Sequence, residues 1–296
     1  MHVPVMSFDA DTTARPLVGP VEAPQLHLMT LNVRRRMPEW WPPPADRWRL
    51  RKPLLHRLLT AERPTVLGLQ EVMPGQSEDI RGMLGPEYAH VGSGRSAARG
   101  GERCEVHYDT RRLRLVTTDI WWLSARPAEP GSRSFGNLLP RMVVQVRLQD
   151  LRTGVRFNVM TVQLDHLSRR SRALSARLLH RRVSGLDGPT VVMGDFNTGA
   201  NSGPHRQLAD GVVLEDALEL ATHRVGSTCG TYTRYRAPRR TGRRLDWILI
   251  TPGASVVAAG VNPTRIAGRA PSDHEPVHAV VAWGPSVPPA DGKNRE

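Results

Sequence analysis

Thr190–Asn197 reads TVVMGDFN. An apolar, β-branched run ends at Gly194, and a carboxylate, Asp195, and an amide, Asn197, follow at once. A short apolar run bounded by glycine reads as a buried strand. Polar groups at the end of such a strand lose hydration unless something satisfies them. The same design recurs on both sides. Leu26–Val33 (LHLMTLNV) delivers Asn32, and Thr65–Gln70 (TVLGLQ) delivers Glu71. Arg244–Thr251 (RLDWILIT) carries Asp246, and Pro276–Trp283 (PVHAVVAW) is preceded by Asp273 and His274. Read singly, each has a plain structural explanation, such as a turn cap for Asn32 or an Asx-turn for Asp195. A lone carboxylate inside an apolar strand, as at Asp246, is harder to explain without a partner. One metal ion beside a phosphate would satisfy all five at once.

Further strands are expected at Glu105–Tyr108, Arg114–Leu123, Arg141–Gln149 and Arg156–Leu164. Trp48–Ala61 carries Leu50, Leu54, Leu55, Leu58 and Leu59 at helical spacing, with Pro53 expected in its first turn. Gln76–Leu84 and Arg172–Leu186 are the other two expected helices. Many strands with few helices imply an α/β (α+β) fold with two packed β-sheets and helices outside. Residues 1–24 and 285–296 are polar and aperiodic and read as a disordered leader and tail around one domain, 25–284.

The chain has 296 residues and a formal net charge of +13. A basic surface concentrates phosphate-bearing ligands such as nucleic acid. Only Lys52 and Lys293 are lysines, however, and arginine this dominant also fits GC-rich coding. No apolar run approaches the ~20 residues of a membrane helix, and the N-terminus lacks the basic start and apolar stretch of a secretory signal. Cys104 and Cys229 have no metal or paired spacing, which suits a reducing cytoplasm.

LMTLNVRRR, VLGLQEV, VVMGDFN, LDWILIT and PSDHEPV, in that order over residues 26–283, resemble the motifs of the endonuclease/exonuclease/phosphatase superfamily. WRLRKPLLHRLL, LPRMVVQVRL and QLDH resemble its generic bacterial branch. The resemblance implies a four-layered, deoxyribonuclease-I-like sandwich of two mixed sheets flanked by helices. It also implies a phosphoesterase dependent on magnesium or manganese. Glu71, Asn32 and Asp273 would form the metal site. Asp195 would orient or deprotonate the attacking water, and Asn197 would hold that water or the phosphate. His274 would bond the phosphoryl oxygen, with Asp246 fixing its tautomer. The chemistry agrees: a water needs a proton acceptor or an acidifying metal, and charge building on phosphorus needs preplaced donors.

The sequence departs from the family at one position. Where relatives of this branch read Asn-Thr-His-Leu-Asp-His, residues 161–166 are TVQLDH. Gln163 can donate a hydrogen bond but cannot carry a proton or a positive charge. His166 is the candidate to substitute for it, and Arg141 is a candidate phosphate fork. WWPPP and the stretch RYRAPRRTGRR (234–244) are candidate rims of the site, the second bringing cations to its mouth. The expected substrate is a phosphate ester: nucleic acid or nucleotide, or alternatively a small sugar, inositol or lipid head-group phosphate. A degenerate binding module that has lost catalysis is the third expectation, motivated by Gln163 alone. The sequence is silent on oligomeric state.

Overall fold

The structure, a computed structural model, describes residues 15–227 and 230–284. In chain order the elements are β1 (Leu26–Asn32), α1 (Trp48–Glu62), β2 (Val66–Val72), α2 (Pro74–Leu84), β3 (Tyr88–Gly94), β4 (Arg103–Asp109), β5 (Leu113–Trp122), β6 (Met142–Asp150), β7 (Arg156–Gln163) and α3 (Arg169–Ser184). They continue with β8 (Thr190–Asp195), α4 (Gly203–Leu208), β9 (Glu215–Asp216), α5 (Ala217–Leu220), β10 (His223–Gly226), β11 (Asp246–Ile250), β12 (Ser255–Val261) and β13 (Val277–Ala282). A seven-stranded sheet runs β10-β12-β13-β1-β2-β4-β3, and a six-stranded sheet runs β5-β6-β7-β8-β11-β9. Both are mixed: β1–β2 and β7–β8 pair in parallel, β1–β13 and β8–β11 antiparallel.

Strand alternation sorts the side chains into layers. Leu26 and Leu28 of β1, Val191 and Met193 of β8, and Ile248 and Ile250 of β11 fill one core between the sheets. Met29, Leu31, Leu67 and Leu69 turn the other way and pack on Leu55, Leu58 and Leu59 of α1 and Ile80 of α2. Met160, Val162, Val192 and Trp247 cover the opposite outer face beneath Ala176, Leu179 and Val183 of α3. The result is the expected four-layered sandwich, with each buried aliphatic side chain contributing roughly 1.5–3 kcal/mol. The sheets approach closely where Gly68 of β2 faces Met193 of β8: a Cβ on Gly68 would lie 2.9 Å from the methionine methyl.

Two expectations need revision. Pro53 is the sixth residue of α1, beyond the first turn, where its ring removes a helical hydrogen bond. Residues 15–24, assigned above to the leader, belong to the packed structure. The backbone N–H groups of Leu17, Val18 and Gly19 donate to the Glu62 carboxylate at 2.7, 3.2 and 3.1 Å. His27 Nδ1 lies 2.8 Å from the Gly19 carbonyl, so it carries the proton and donates. His27 Nε2 then accepts from His278 Nδ1 at 2.8 Å, leaving both fully buried rings neutral. Residues 1–14, 228–229 and 285–296, including Cys229 and the expected tail, lie outside the described residues.

Candidate active site

The parity that builds the core also places the polar residues. Asn32 continues the face of Leu26 and Leu28, Asp195 that of Val191 and Met193, and Asp246 that of Ile248 and Ile250. Gln163 continues the face of Phe157 and Val159. All four therefore emerge from the seam between the sheets at one end of the sandwich. Glu71 has the wrong parity, since Leu67 and Leu69 point at the helices. It reaches the same end because its backbone is left-handed, with φ of 60°. The β2–β4 register also shifts between Leu69 and Val72. Such a bulge re-aims a side chain at a cost of order 1–3 kcal/mol.

Asn32 Nδ2 donates to Glu71 Oε1 at 3.0 Å and to Asp195 Oδ2 at 3.1 Å, tying the two sheets together. Its Oδ1 accepts from the Arg34 N–H at 2.9 Å and keeps a second lone pair, while its Nδ2 orients both carboxylates. Asp195 also accepts from the N–H and Nδ2 of Asn197, whose φ is 52°. Gly194 allows this turn: a Cβ there would strike the Val162 carbonyl at 1.9 Å. Burial is the main force pushing Asp195 up to about 6; the Asp246 and Glu71 charges add to it while His274 opposes.

His274 Nδ1 and Asp246 Oδ2 lie 2.8 Å apart. Burial disfavours the imidazolium, but Asp246, Asp195 and Asp273 outweigh it and hold the pKa well above the ordinary value. The segment before His274 is pinned by Ser272 Oγ, which donates to the Asn32 carbonyl at 2.6 Å. Tyr232, which the sequence did not single out, lies against the His274 ring with centroids 4.9 Å apart.

Gln163 sits in the middle of the site. Its Nε2 donates to Glu71 Oε1 at 2.8 Å and its Oε1 accepts from Arg141 at 2.9 Å. Arg141, 3% exposed, also donates to His166 Nδ1 at 2.8 Å. Arginine can only donate, so His166 is the neutral tautomer with its proton on Nε2. Burial and the Arg141 charge lower its pKa in keeping.

Arg51 is a structural residue that the sequence concealed. Its fully buried guanidinium donates to the carbonyls of Val33, Arg34 and Asp46, fixing the loop that carries Arg34. Arg34 is bound by Asp46 and stands 3.9 Å from Glu71 Oε2 and 4.0 Å from Asp273 Oδ2, beyond hydrogen-bond distance of both. Glu71 is held below its ordinary pKa: burial opposes ionisation, but the Asn32 bond and the His274 and Arg34 charges prevail. Asp273 is pushed up, first by burial and then by the neighbouring Glu71 and Asp46 charges.

This donor set fits a divalent cation. Glu71 Oε2 and Asp273 Oδ2 are hard oxygens that both stand within 4.0 Å of the Arg34 guanidinium, each with coordinating capacity to spare, and the Glu71 charge adds to the burial that raises Asp273. Asp195, Asp246 and His274 also lie within metal-ligating distance of one another. There, His274 Nδ1 is engaged by Asp246 and the ring is cationic, which suits proton transfer better than ligation. Two further clusters are structural. Glu62, beside His27 and His278, has its oxygens filled by three backbone N–H groups and Asn262. Asp216, beside His205 and Glu219, is paired with Arg244.

These residues open into a cleft of about 850 Å³ lined by Glu71, Gln163, His166, Asp195, Asn197, Asp273 and His274 and by seven arginines. Arg243 is the residue of the 234–244 loop that reaches it. Trp40 and Trp41 are 78% and 67% exposed and do not line it, whereas Trp122 is fully buried.

A two-sheet sandwich with a carboxylate–imidazole site at one mouth defines a phosphoester-hydrolase fold. The chain belongs to the endonuclease/exonuclease/phosphatase family, whose profile matches residues 29–274. It is similar to a mannosyl-6-phosphatase of Bacteroides thetaiotaomicron at 25% identity and a TM-score of 0.80, covering 87% of this chain and all of that one. The human Nocturnin catalytic domain shares the fold at 19% identity and a TM-score of 0.64, over 88% and 94% of the two chains. D. rerio TDP2, solved with a single-strand DNA product, shares it at 15% and 0.64, over 87% and 99%. No curated protein matches the chain at the level of sequence. No helix among the described residues is long and apolar enough to cross a membrane.

Proposed function

We propose that the chain is a divalent-metal-dependent hydrolase of small phosphate esters, working by in-line attack of water. The observation that carries this is the hydrogen-bonded chain Gln163–Glu71–Asn32–Asp195, which joins the two sheets beside a cationic His274. Asp195, oriented by Asn32 and Asn197, accepts the proton of the attacking water. Its elevated pKa is suited to that task near neutral pH. His274, braced by Asp246, donates from Nε2 to the phosphoryl oxygen where charge builds. Such a donor is worth roughly 3 kcal/mol in the transition state. His166 offers a second, neutral N–H from Nε2, and Arg141 fixes both His166 and Gln163. Glu71 and Asp273 would hold magnesium or manganese, and the bound ion supplies Lewis-acid charge neutralisation at the phosphate.

The cleft volume falls within the range of small-molecule sites, and the mannosyl-6-phosphatase similarity supports the same class. The seven arginines and the charge of +13 favour a second reading, a nucleotide or nucleic-acid end as substrate. A binding module without catalysis is not favoured: Gln163, its only motive, is built into the site by two hydrogen bonds. Cys104, buried and free, supports a cytoplasmic setting. The deciding experiment incubates pure protein and magnesium or manganese with p-nitrophenyl phosphate, bis-p-nitrophenyl phosphate, sugar phosphates and oligonucleotides. Turnover of oligonucleotides alone overturns the small-ester reading, and no turnover at all overturns the hydrolase.

A further inference from the structure

The arginines of the cleft are not equivalent. Arg35 and Arg95 share Glu102, each at 2.9 Å, and Arg34 is bound by Asp46. Arg141 is spent on Gln163 and His166. Arg169, Arg172 and Arg243 line the same cleft, near enough for the Arg169 and Arg243 charges to act on Arg172, with no carboxylate partner among the described residues. The one hydrogen bond there is from Arg172 to the Asp165 carbonyl, at 2.8 Å.

Three guanidinium groups this close repel one another. Burial lowers the Arg172 pKa, and the Arg169 and Arg243 charges lower it further against Asp165. Two of the three also oppose the helix they sit on. Arg169 and Arg172 belong to the first turn of α3, a 16-residue helix with no acidic residue there. The positive end of a helix favours acidic side chains, so cations at that end are placed against the local field. Arg243 comes from a different part of the chain, and nothing in the helix requires it. Local and tertiary electrostatics are both violated at one spot beside a phosphate-ester site. A bound anion would relieve both.

We infer that Arg169, Arg172 and Arg243 form a second phosphate subsite, so that the substrate carries a non-scissile phosphate besides the one hydrolysed. This rests on the hydrolase reading and deepens it. Guanidinium forks match phosphate oxygens two at a time, which suits arginine rather than lysine here. The scissile phosphate lies with Glu71, Asp195 and His274, and the second phosphate anchors the far end of a small molecule. The chemistry is a bisphosphate, whose carrier is a sugar or a nucleoside.

Titration calorimetry on Asp195→Asn protein, which binds without turnover, tests the subsite with two matched pairs. One pair is fructose 6-phosphate and fructose 1,6-bisphosphate; the other is thymidine 5′-phosphate and thymidine 3′,5′-bisphosphate. The expected result is that the added phosphate tightens binding at least tenfold in one pair, which also names the carrier. Adding Arg169→Ala and Arg243→Ala should bring that ratio to within twofold, and Arg169→Lys with Arg243→Lys should keep part of it. Both arginines are exposed, so folding should survive; a thermal melt verifies this. No gain in either pair overturns the inference, as does a gain that persists in the double alanine variant. Failure of wild-type protein to hydrolyse any ester removes the hydrolase reading separately, because the binding ratio is read without turnover.

Discussion

Asp195 and Asp246 are direct cross-strand partners in the antiparallel ladder of β8 and β11. Both are buried, at 1% and 0% exposure, and the His274 cation interacts with both and offsets their repulsion. Cross-strand pairing of like charges is unfavourable. The pair persists because a third element delivers a proton between them. Asp246 takes the Nδ1 side, while Asp195 is left high and ready to accept.

Asp195→Asn keeps the side-chain shape but removes the proton acceptor, and its amide NH2 must face a donor, either the Asn197 N–H or the Nδ2 groups of Asn32 and Asn197. The expected loss in kcat is about 10²–10⁴-fold. Thermal stability should change little, since relief of a buried charge at 1% exposure offsets the mismatched hydrogen bonds. Steady-state kinetics and a melting curve on the same preparation measure both.

The rate should follow the ionisation of Asp195. Its pKa is raised to about 6, so the competent carboxylate is lost as pH falls through that value. A plot of log kcat/KM against pH should rise with unit slope below about 6 and flatten above. A flat profile down to pH 4 would remove Asp195 from the base role.

Glu71→Gln leaves an amide in place of the charged oxygens. The concentration of magnesium or manganese giving half-maximal activity should rise tenfold or more, while Asp79→Asn, on α2 and paired with Trp48 and Lys52 outside the cleft lining, should leave it unchanged. Chelation with EDTA should abolish turnover reversibly. Metal titration of activity is the readout.

Gln163→Ala removes one hydrogen bond from the buried Arg141 guanidinium, which keeps His166, and one from Glu71, at a cost of about 1–3 kcal/mol in stability. Gln163→His can donate to Glu71 from one nitrogen and accept from Arg141 at the other, so it should remain within roughly tenfold of wild-type kcat/KM. Urea unfolding and kinetics together separate the two effects.

His27 and His278 both have pKa values lowered to about 3, His27 by burial and the neighbouring His278, and His278 by burial. In the unfolded chain they titrate near the ordinary ~6.5. Between these values the unfolded state binds protons that the folded state excludes, so stability rises with pH across that window. It is complete above about 6.5 and lost on acidification towards 3. Melting temperatures should fall steeply below pH 6, and His278→Gln should flatten the dependence.

Much of this was legible in the sequence. Asn32, Asp195 and Asp246 announce themselves as polar residues ending or interrupting apolar runs, and alternation alone assigns them to one face. Glu71 was legible as a residue type but not as a direction, because its left-handed backbone breaks the parity that the sequence implies. β3 and β12 were missed. YAHVGSG and SVVAAGV are small, glycine-bearing strands without the contrast that marks a half-buried face. The pairings of Arg51 with carbonyls 33–46 and of Gln163 with Glu71 depend on tertiary approach, which leaves no periodic trace. Nor could charge counting separate Arg35 and Arg95, neutralised by Glu102, from Arg169 and Arg243.

Gly68 and Met193 lie three and two positions before Glu71 and Asp195 on facing strands. They act as a shim that sets how far apart the two halves of the catalytic apparatus stand. A single methyl added at Gly68 would wedge the layers and misalign the chemistry from below without touching a reacting group. Catalytic rate is thus a strain gauge for the thickness of the sandwich.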